Sequence, residues 1–228
     1  MENDLNKKFR LLSTGYLIGE LSDLVTDDIE FEKHVANIRH TFHTSRELFQ
    51  YRNVVKMHPE YNMHVKIEDI AERRRIIEEN NYEIGQQWYE TNGGSDVIQS
   101  AFVYFQGLVK KIMVELYPEL SLERNNFRFN DAFTVFTKGD FIEPHTDGMN
   151  LGRLCVVLIY LSNENEYDQS GGVFRIPDED IDLLPVKGKF AILDFTRNNL
   201  KHEVTLVHDN FERFTYNSFV YNTDKEKA

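Results

Sequence analysis

Short runs of β-branched and aromatic residues dominate the C-terminal half of the chain. The runs cover residues 129–137, 153–162, 173–176, 189–195, 203–207 and 213–221. Turn-forming segments separate them, such as Lys138-Gly139-Asp140 and Ser170-Gly171-Gly172. Short strands at this spacing are typical of antiparallel sandwiches and barrels. The pattern therefore predicts a β core in this half of the chain.

The N-terminal half carries helical patterns instead. Apolar residues recur at three- and four-residue steps over residues 97–116, after Ser95 or Asp96 as a possible cap and before Pro118. A stripe this wide predicts a helix over 97–117 that lies on a sheet. Helix formers also fill residues 66–90, where we expect a second helix that could act as a lid. Residues 31–49 are loosely helical, and 17–25 could form a short strand or turn.

The change of composition near residue 125 separates two layers of one domain. We expect residues 1–228 to form a single α+β domain that is mostly β. Residues 1–125 would supply a mainly helical layer and pocket-shaping segments. Residues 126–222 would form the β core.

Charge and composition exclude several classes of function. The formal net charge of −12 argues against a phosphate-binding groove for nucleic acid. No stretch approaches the roughly 18 consecutive apolar residues of a membrane helix, and the acidic N-terminus lacks a signal-peptide layout. The single cysteine, Cys155, cannot form an internal disulfide. These features predict a protein of the reducing cytoplasm without a membrane partner.

Three residues in the β half form a candidate metal site. His145 and Asp147 stand two apart beside Gly148, and His202 precedes a later strand. Two imidazoles and one carboxylate make up the facial triad of non-haem Fe(II) oxygenases, which leaves positions open on the metal. A structural zinc site would fill four positions, usually with thiolates, and the chain has one cysteine.

Arg213 adds a second element to this site. When a 2-oxo acid chelates iron, its distal carboxylate lies several ångströms away, where a guanidinium can grip it with two hydrogen bonds. Thr215 follows Arg213 by two residues, so both face the same side of a strand. The hydroxyls of Thr215 and Tyr160 can complete the shell of that carboxylate.

These features together resemble the 2-oxoglutarate- and Fe(II)-dependent dioxygenases, in their prolyl 4-hydroxylase-like branch. The resemblance covers residues 127–222. The matching pieces are residues 139–147 (GDFIEPHTD), 153–176 (RLCVVLIYLS to SGGVFRI), 187–195, 202–204 and 213–215. It implies a double-stranded β-helix, or jelly roll, with helices packed on the major sheet.

The resemblance also implies roles for individual residues. The implied iron ligands are His145, Asp147 and His202. Arg213 would bind the C5 carboxylate of 2-oxoglutarate, with Tyr160 touching the same group. Arg153 matches a position that contacts substrate in some protein hydroxylases of this branch. Phe136 departs from the pattern, because collagen-type members often carry a tyrosine there. The interval between His202 and Arg213 is slightly longer than usual, which suggests extra turn residues at 208–210.

The implied reaction is hydroxylation of an unactivated C–H bond, with 2-oxoglutarate converted to succinate and CO₂. It requires Fe(II), 2-oxoglutarate and O₂, and ascorbate can be stimulatory. The substrate would be a prolyl residue in a peptide or protein, a free amino acid or another small molecule. The alternative is a non-catalytic, metal-binding jelly roll that serves as a sensor or interaction module. Arg213 and Tyr160 speak against it, since such a site has no dicarboxylate to hold.

Overall fold

The computed structural model describes residues 15–23, 25, 27–58, 61–65, 75, 79, 83–117, 127–147, 152–163, 171–208 and 211–223. Two α-helices have described bounds, α1 (Asp28–Thr44) and α2 (Asp96–Leu116). The strands are β1 (Tyr16–Glu20), β2 (Gln50–His58), β3 (Tyr61–Val65), β4 (Glu83–Thr91), β5 (Phe127–Phe136), β6 (Phe141–His145), β7 (Arg153–Tyr160), β8 (Phe174–Ile176), β9 (Ile181–Leu183), β10 (Lys189–Asp194), β11 (His202–Val204) and β12 (Arg213–Asn222). The predicted class, mostly β with N-terminal helices, is confirmed.

The strands form a sheet that curls into two facing parts. The major sheet has the order β1-β10-β7-β12-β5, and the minor sheet has the order β6-β11-β8-β9. Strand β4 joins them, because residues 89–91 pair with β5 whereas residues 86 and 87 pair with β6. Strand β2 extends the sheet from the other edge of β4, and β3 pairs with β2. All described pairings are antiparallel, as in the jelly roll that we expected.

The two helices cover the outer face of the major sheet. Helix α2 is capped by Ser95, whose Oγ accepts a hydrogen bond from the backbone N–H of Ile98 at 3.3 Å. Its buried stripe includes Ile98, Ala101, Phe105, Val109 and Ile112. Strand residues of alternating position pack in the same core: Phe133, Val135, Val157, Ile159, Phe214, Tyr216 and Val220. The predicted helix and its packing on a sheet are confirmed.

Helix α2 is long and apolar enough to cross a membrane if only length and composition are considered. Its apolar side, however, lies in the core against α1 and the major sheet. The packing therefore accounts for its apolar composition without a membrane.

One predicted helix is partly wrong. Residues 83–90 belong to strand β4, where Gln86, Trp88 and Glu90 alternate toward one face. Pairing along both edges of β4 outweighs the helix-forming composition of this segment. Arg75 and Glu79 are helical, which agrees with the predicted helix at these two positions. Their side chains form an ion pair at 2.6 Å. Residues 66–74, 76–78 and 80–82, and with them most of the proposed lid, lie outside the described residues.

Strands β2 and β4 are anchored to the turn between β5 and β6. The hydroxyl of Tyr51 donates to Asp140 Oδ1 at 2.7 Å, and the side-chain amide of Gln87 donates to the Gly139 carbonyl at 2.6 Å. Asp140 also accepts from the backbone N–H of Thr137 at 2.7 Å. Burial raises the pKa of Asp140 above its usual range, although these donors oppose that shift. The anchor holds the start of β6, the strand that ends at His145.

Candidate active site

A cavity of about 470 Å³ lies between the inner faces of the two sheets. Alternate residues of each strand face it, because successive side chains in a strand point to opposite sides. The residues that line it include Gln86, Trp88 and Glu90 of β4, Thr134 and Phe136 of β5, Val156 and Leu158 of β7, and Arg213, Asn217 and Phe219 of β12, together with Phe174, His145, Asp147 and His202. The volume is within the range of ligand sites in proteins, roughly 300–1,000 Å³.

The structure brings the three predicted metal ligands together. His145 ends β6 and His202 begins β11, and these two residues are direct partners in the antiparallel pairing of the strands. Their ring centroids are 4.4 Å apart. Asp147 Oδ1 lies 3.9 Å from His145 Nε2, and Asp147 Oδ2 lies 3.5 Å from His202 Nε2. Among the described residues, this is the one group of three whose ligand atoms all lie within 4.8 Å of one another.

Backbone carbonyls orient both imidazoles. The Nδ1 of His145 is 2.9 Å from the Glu143 carbonyl, and the Nδ1 of His202 is 3.0 Å from the Leu200 carbonyl. A carbonyl only accepts, so Nδ1 carries the proton in each neutral ring and the Nε2 lone pair faces Asp147. This is the usual support for metal-binding histidines.

Burial keeps His202 in the form that a metal needs. Desolvation lowers its pKa, and the neighbouring His145 acts in the same direction, whereas Asp147 opposes the shift. A metal ligand must be a neutral imidazole or an ionised carboxylate. The two Nε2 atoms and the carboxylate of Asp147 match the donor set of a non-haem Fe(II) centre.

Arg213 lines the cavity without a described counter-ion. The side chain is buried at 2% exposure, and its Nε has no hydrogen-bond partner among the described residues. Its Cζ lies 4.8 Å from the ring centroid of Phe136 and 5.3 Å from that of Tyr160. Burial lowers the pKa of Arg213, because the charged form loses its hydration. A buried cation in this state fits an anionic ligand.

Two hydroxyls accompany this guanidinium. Thr215 is the direct cross-strand partner of Tyr160 on one side and of Thr134 on the other. The Oγ of Thr215 is fully buried and has no hydrogen-bond partner among the described residues. Burial raises the pKa of Tyr160 to about 12, although Arg213 opposes the shift, so the phenol keeps its proton. The predicted carboxylate-binding group is thus assembled in one place, and its ligand remains a prediction.

Arg153 lies beside the metal-binding segment. Its Nη1 donates to the backbone carbonyl of Asp147 at 2.7 Å, and its Nη2 donates to the hydroxyl of Tyr221 at 3.2 Å. The guanidinium also lies over the ring of Phe219, with its Cζ 4.6 Å from the centroid. The expected contact between Arg153 and a substrate stays a prediction.

The sequence analysis did not predict that residues of β4 line the cavity. Trp88, the single tryptophan of the chain, donates from Nε1 to Glu90 Oε2 at 3.1 Å. Arg52 donates to Glu90 Oε1 at 3.3 Å. Trp88 stacks on Phe136 with ring centroids 6.4 Å apart, and Phe136 in turn lies under Arg213. Residues 86–90 show no alternation of polar and apolar residues, and the helix-forming composition of the segment favoured a helix instead.

Three further histidines with described side chains lie outside the site. His34 is buried and its Nε2 contacts Glu30 at 3.0 Å, while His43 contacts Glu212 at 3.2 Å. His208 is exposed. The carboxylate of Glu212, which precedes Arg213 in the chain, thus pairs with His43.

Comparison with known proteins agrees with the fold. Residues 132–221 match the sequence model of the 2OG-Fe(II) oxygenase superfamily. No curated protein matches the chain. A prolyl hydroxylase from Trichoplax adhaerens, solved with a hypoxia inducible factor oxygen degradation domain peptide fragment, is 14% identical with a TM-score of 0.59, and the alignment covers 99% of this chain and 89% of that one.

Two bacterial structures are similar to the same extent. A prolyl-4-hydroxylase from Pseudomonas putida is 13% identical with a TM-score of 0.56, over 92% of this chain and 93% of that one. An oxidoreductase of the 2OG-Fe(II) oxygenase family from Burkholderia pseudomallei is 13% identical with a TM-score of 0.55, over 96% and 89%. At these identities the structural likeness establishes the shared fold.

Proposed function

We propose that the chain is a 2-oxoglutarate- and Fe(II)-dependent dioxygenase. The match of residues 132–221 to the sequence model of the 2OG-Fe(II) oxygenase superfamily supports this proposal. It hydroxylates an unactivated C–H bond and releases succinate and CO₂. The observation that carries the proposal is the buried Arg213, which has no described counter-ion and lies in the same cavity as the His145–Asp147–His202 group.

Each residue of the site has a defined part in this proposal. His145, Asp147 and His202 would hold the iron through two Nε2 atoms and a carboxylate. Iron with 2-oxoglutarate and O₂ supplies the oxidising chemistry, and the protein supplies binding, orientation and protection from side reactions. The Glu143 and Leu200 carbonyls keep both imidazoles in the ligand tautomer.

Arg213, Tyr160 and Thr215 would bind the distal carboxylate of 2-oxoglutarate. The guanidinium provides the charge and two parallel donors, and the two hydroxyls provide further hydrogen bonds. Since Tyr160 and Thr215 are cross-strand partners, the sheet sets their spacing before the ligand arrives. A non-catalytic metal module would have no use for this buried group, so the catalytic function is favoured.

For the substrate we propose a prolyl residue of a peptide or protein, and an amino acid or other small molecule as the second candidate. The support is the fold shared with prolyl hydroxylases, one of them solved with a peptide fragment. The cavity wall offers both an aromatic surface, Trp88, and the amides of Gln86, Asn130 and Asn217. We propose that the enzyme works in the cytoplasm, with ascorbate as a reductant.

Succinate formation tests this function. The full chain is incubated with Fe(II), 2-oxoglutarate, O₂ and ascorbate, together with prolyl peptides, amino acids or metabolites, and succinate is quantified. Asp147→Ala is expected to abolish succinate formation, because one of three ligands is lost. Asp182→Ala is the matched control, since Asp182 is a surface carboxylate paired with Arg175. Full turnover in Asp147→Ala would contradict the ligand assignment, and metal binding without any turnover would favour the sensor module.

A further inference from the structure

We propose that Arg153 is a positioning residue that holds the backbone of Asp147, so that the carboxylate of this ligand faces both imidazoles. The inference rests on the proposed function, because it concerns the same metal site. It assigns to Arg153 an action through Asp147 rather than a contact with substrate alone.

The three ligands are held in different ways. His145 and His202 face each other in the β6–β11 pairing, and backbone carbonyls orient their rings. Asp147 lies two residues beyond the end of β6, outside that pairing. Its carboxylate must nevertheless place one oxygen 3.9 Å from His145 Nε2 and the other 3.5 Å from His202 Nε2. The hydrogen bond of 2.7 Å from Arg153 to the Asp147 carbonyl restrains the backbone that carries this side chain.

Arg153 is itself restrained on several sides. It begins β7, and its second terminal nitrogen donates to the hydroxyl of Tyr221. Its guanidinium lies over the ring of Phe219, and its Cζ is 5.6 Å from the ring centroids of both Phe195 and Tyr221. A planar fork that is stacked and hydrogen-bonded in this way is pre-organised, which a lysine cannot reproduce. Arg153 therefore links the β7–β12 pairing to the backbone of Asp147.

Loss of such a supporting group commonly lowers metal affinity 10- to 100-fold. We expect Arg153→Ala to weaken metal binding by roughly this factor. Arg153→Lys should recover only part of the loss, because one ammonium cannot serve both the Asp147 carbonyl and Tyr221. Tyr221→Phe removes one hydrogen bond of Arg153 without touching Asp147, and it should weaken metal binding less than Arg153→Ala does.

The experiment measures Mn(II) binding by the full-length chain. Free Mn(II) is quantified by electron paramagnetic resonance, and quenching of Trp88 fluorescence gives an independent titration, since this single tryptophan lines the same cavity. The metal-free melting temperature is recorded for each variant. Arg128→Ala is the matched control, because Arg128 also lies over the Tyr221 ring, with its Cζ at 4.4 Å from the centroid.

A graded loss of Mn(II) affinity in the order Tyr221→Phe, Arg153→Lys, Arg153→Ala, with native affinity in Arg128→Ala, supports the positioning role. Native Mn(II) affinity in all the Arg153 variants overturns the positioning role. If the KM for substrate rises in those variants while Mn(II) affinity stays native, Arg153 is only a substrate contact. A fall in metal-free melting temperature with unchanged Mn(II) affinity overturns it too. Should Arg153→Ala fail to fold, Arg153→Lys and Tyr221→Phe decide. If the native chain binds no metal, the proposed function fails, and not this inference alone.

Discussion

Replacing Arg213 with methionine should have opposite effects on ligand binding and on folding. The guanidinium is 2% exposed and lacks a described counter-ion, so in the complex it would form a buried ion pair with the distal carboxylate of 2-oxoglutarate. Removing one partner of a buried ion pair costs about 3–5 kcal/mol. At roughly 1.4 kcal/mol per tenfold, the affinity for 2-oxoglutarate should fall by about two to four orders of magnitude.

The ligand-free protein should not lose stability in the same way. In the native chain, folding removes the Arg213 cation from water without providing a carboxylate among the described residues, and its contact with the Phe136 ring offsets this cost only in part. Exchanging buried ionic groups for apolar groups of similar volume is often neutral or stabilising by about 1–4 kcal/mol. We therefore expect Arg213→Met to have an equal or higher free energy of unfolding without ligand.

Urea denaturation with and without 2-oxoglutarate and Mn(II) measures both effects. For the native chain, ligand at 100 times its Kd should add about 2.7 kcal/mol to the free energy of unfolding. Arg213→Met should gain almost nothing at that concentration, and Arg213→Lys, which keeps the charge but not the fork, should fall between the two. The reasoning is refuted if ligand-free Arg213→Met loses several kcal/mol, or if 2-oxoglutarate stabilises it as much as the native chain.

Three further predictions concern the scaffold. Cys155 is fully buried and burial raises the pKa of its thiol, so little thiolate forms even at pH 8. Ellman's reagent should therefore label Cys155 only when the chain unfolds, and prompt labelling of the native chain would contradict this. Tyr51→Phe should cost about 1–3 kcal/mol, because the buried Asp140 carboxylate loses a donor. Burial raises the pKa of Asp140, so its ionised form is the costly one and the stability of the native chain falls as pH rises through that pKa. The free energy of unfolding lost in Tyr51→Phe, measured by urea denaturation, should therefore be larger at pH 7, where Asp140 needs the donor, than at pH 4. An equal loss at both pH values would exclude Asp140 as the cause. Phe105→Ala should cost about 3–5 kcal/mol in the same measurement, and a loss below 1 kcal/mol would show that the core of α2 is not packed as described.

The sequence predicted the elements whose periodicity is long or clear. Helix α2 follows from its apolar stripe, and β12 follows from its β-branched and aromatic run between turns. Strand β4 was missed because its inner residues are polar or amphipathic, as a cavity wall requires, so that no apolar alternation marks it. Strands β3 and β9 were not predicted, because their five and three residues include polar residues and form no β-branched or aromatic run like those that marked β8 and β11.

In the candidate site, the sequence predicted which residues come together but not how their side chains are oriented. The order and spacing of His145, Asp147, His202 and Arg213 predicted that these residues would meet, and the structure brings them into one cavity. Their orientation depends on groups that sequence does not reveal, namely the Glu143 and Leu200 carbonyls and the Arg153 contact with Asp147. These contacts arise from strand register, which is a tertiary property.

The direct pairing of His145 with His202 has a consequence for how the protein matures. The two imidazoles come from strands that are distant in sequence, so they cannot bind the same ion until β6 and β11 have paired. A slip of one position would turn one ring to the opposite face. If the site binds metal as proposed, metal uptake during refolding should therefore follow the pairing of β6 with β11.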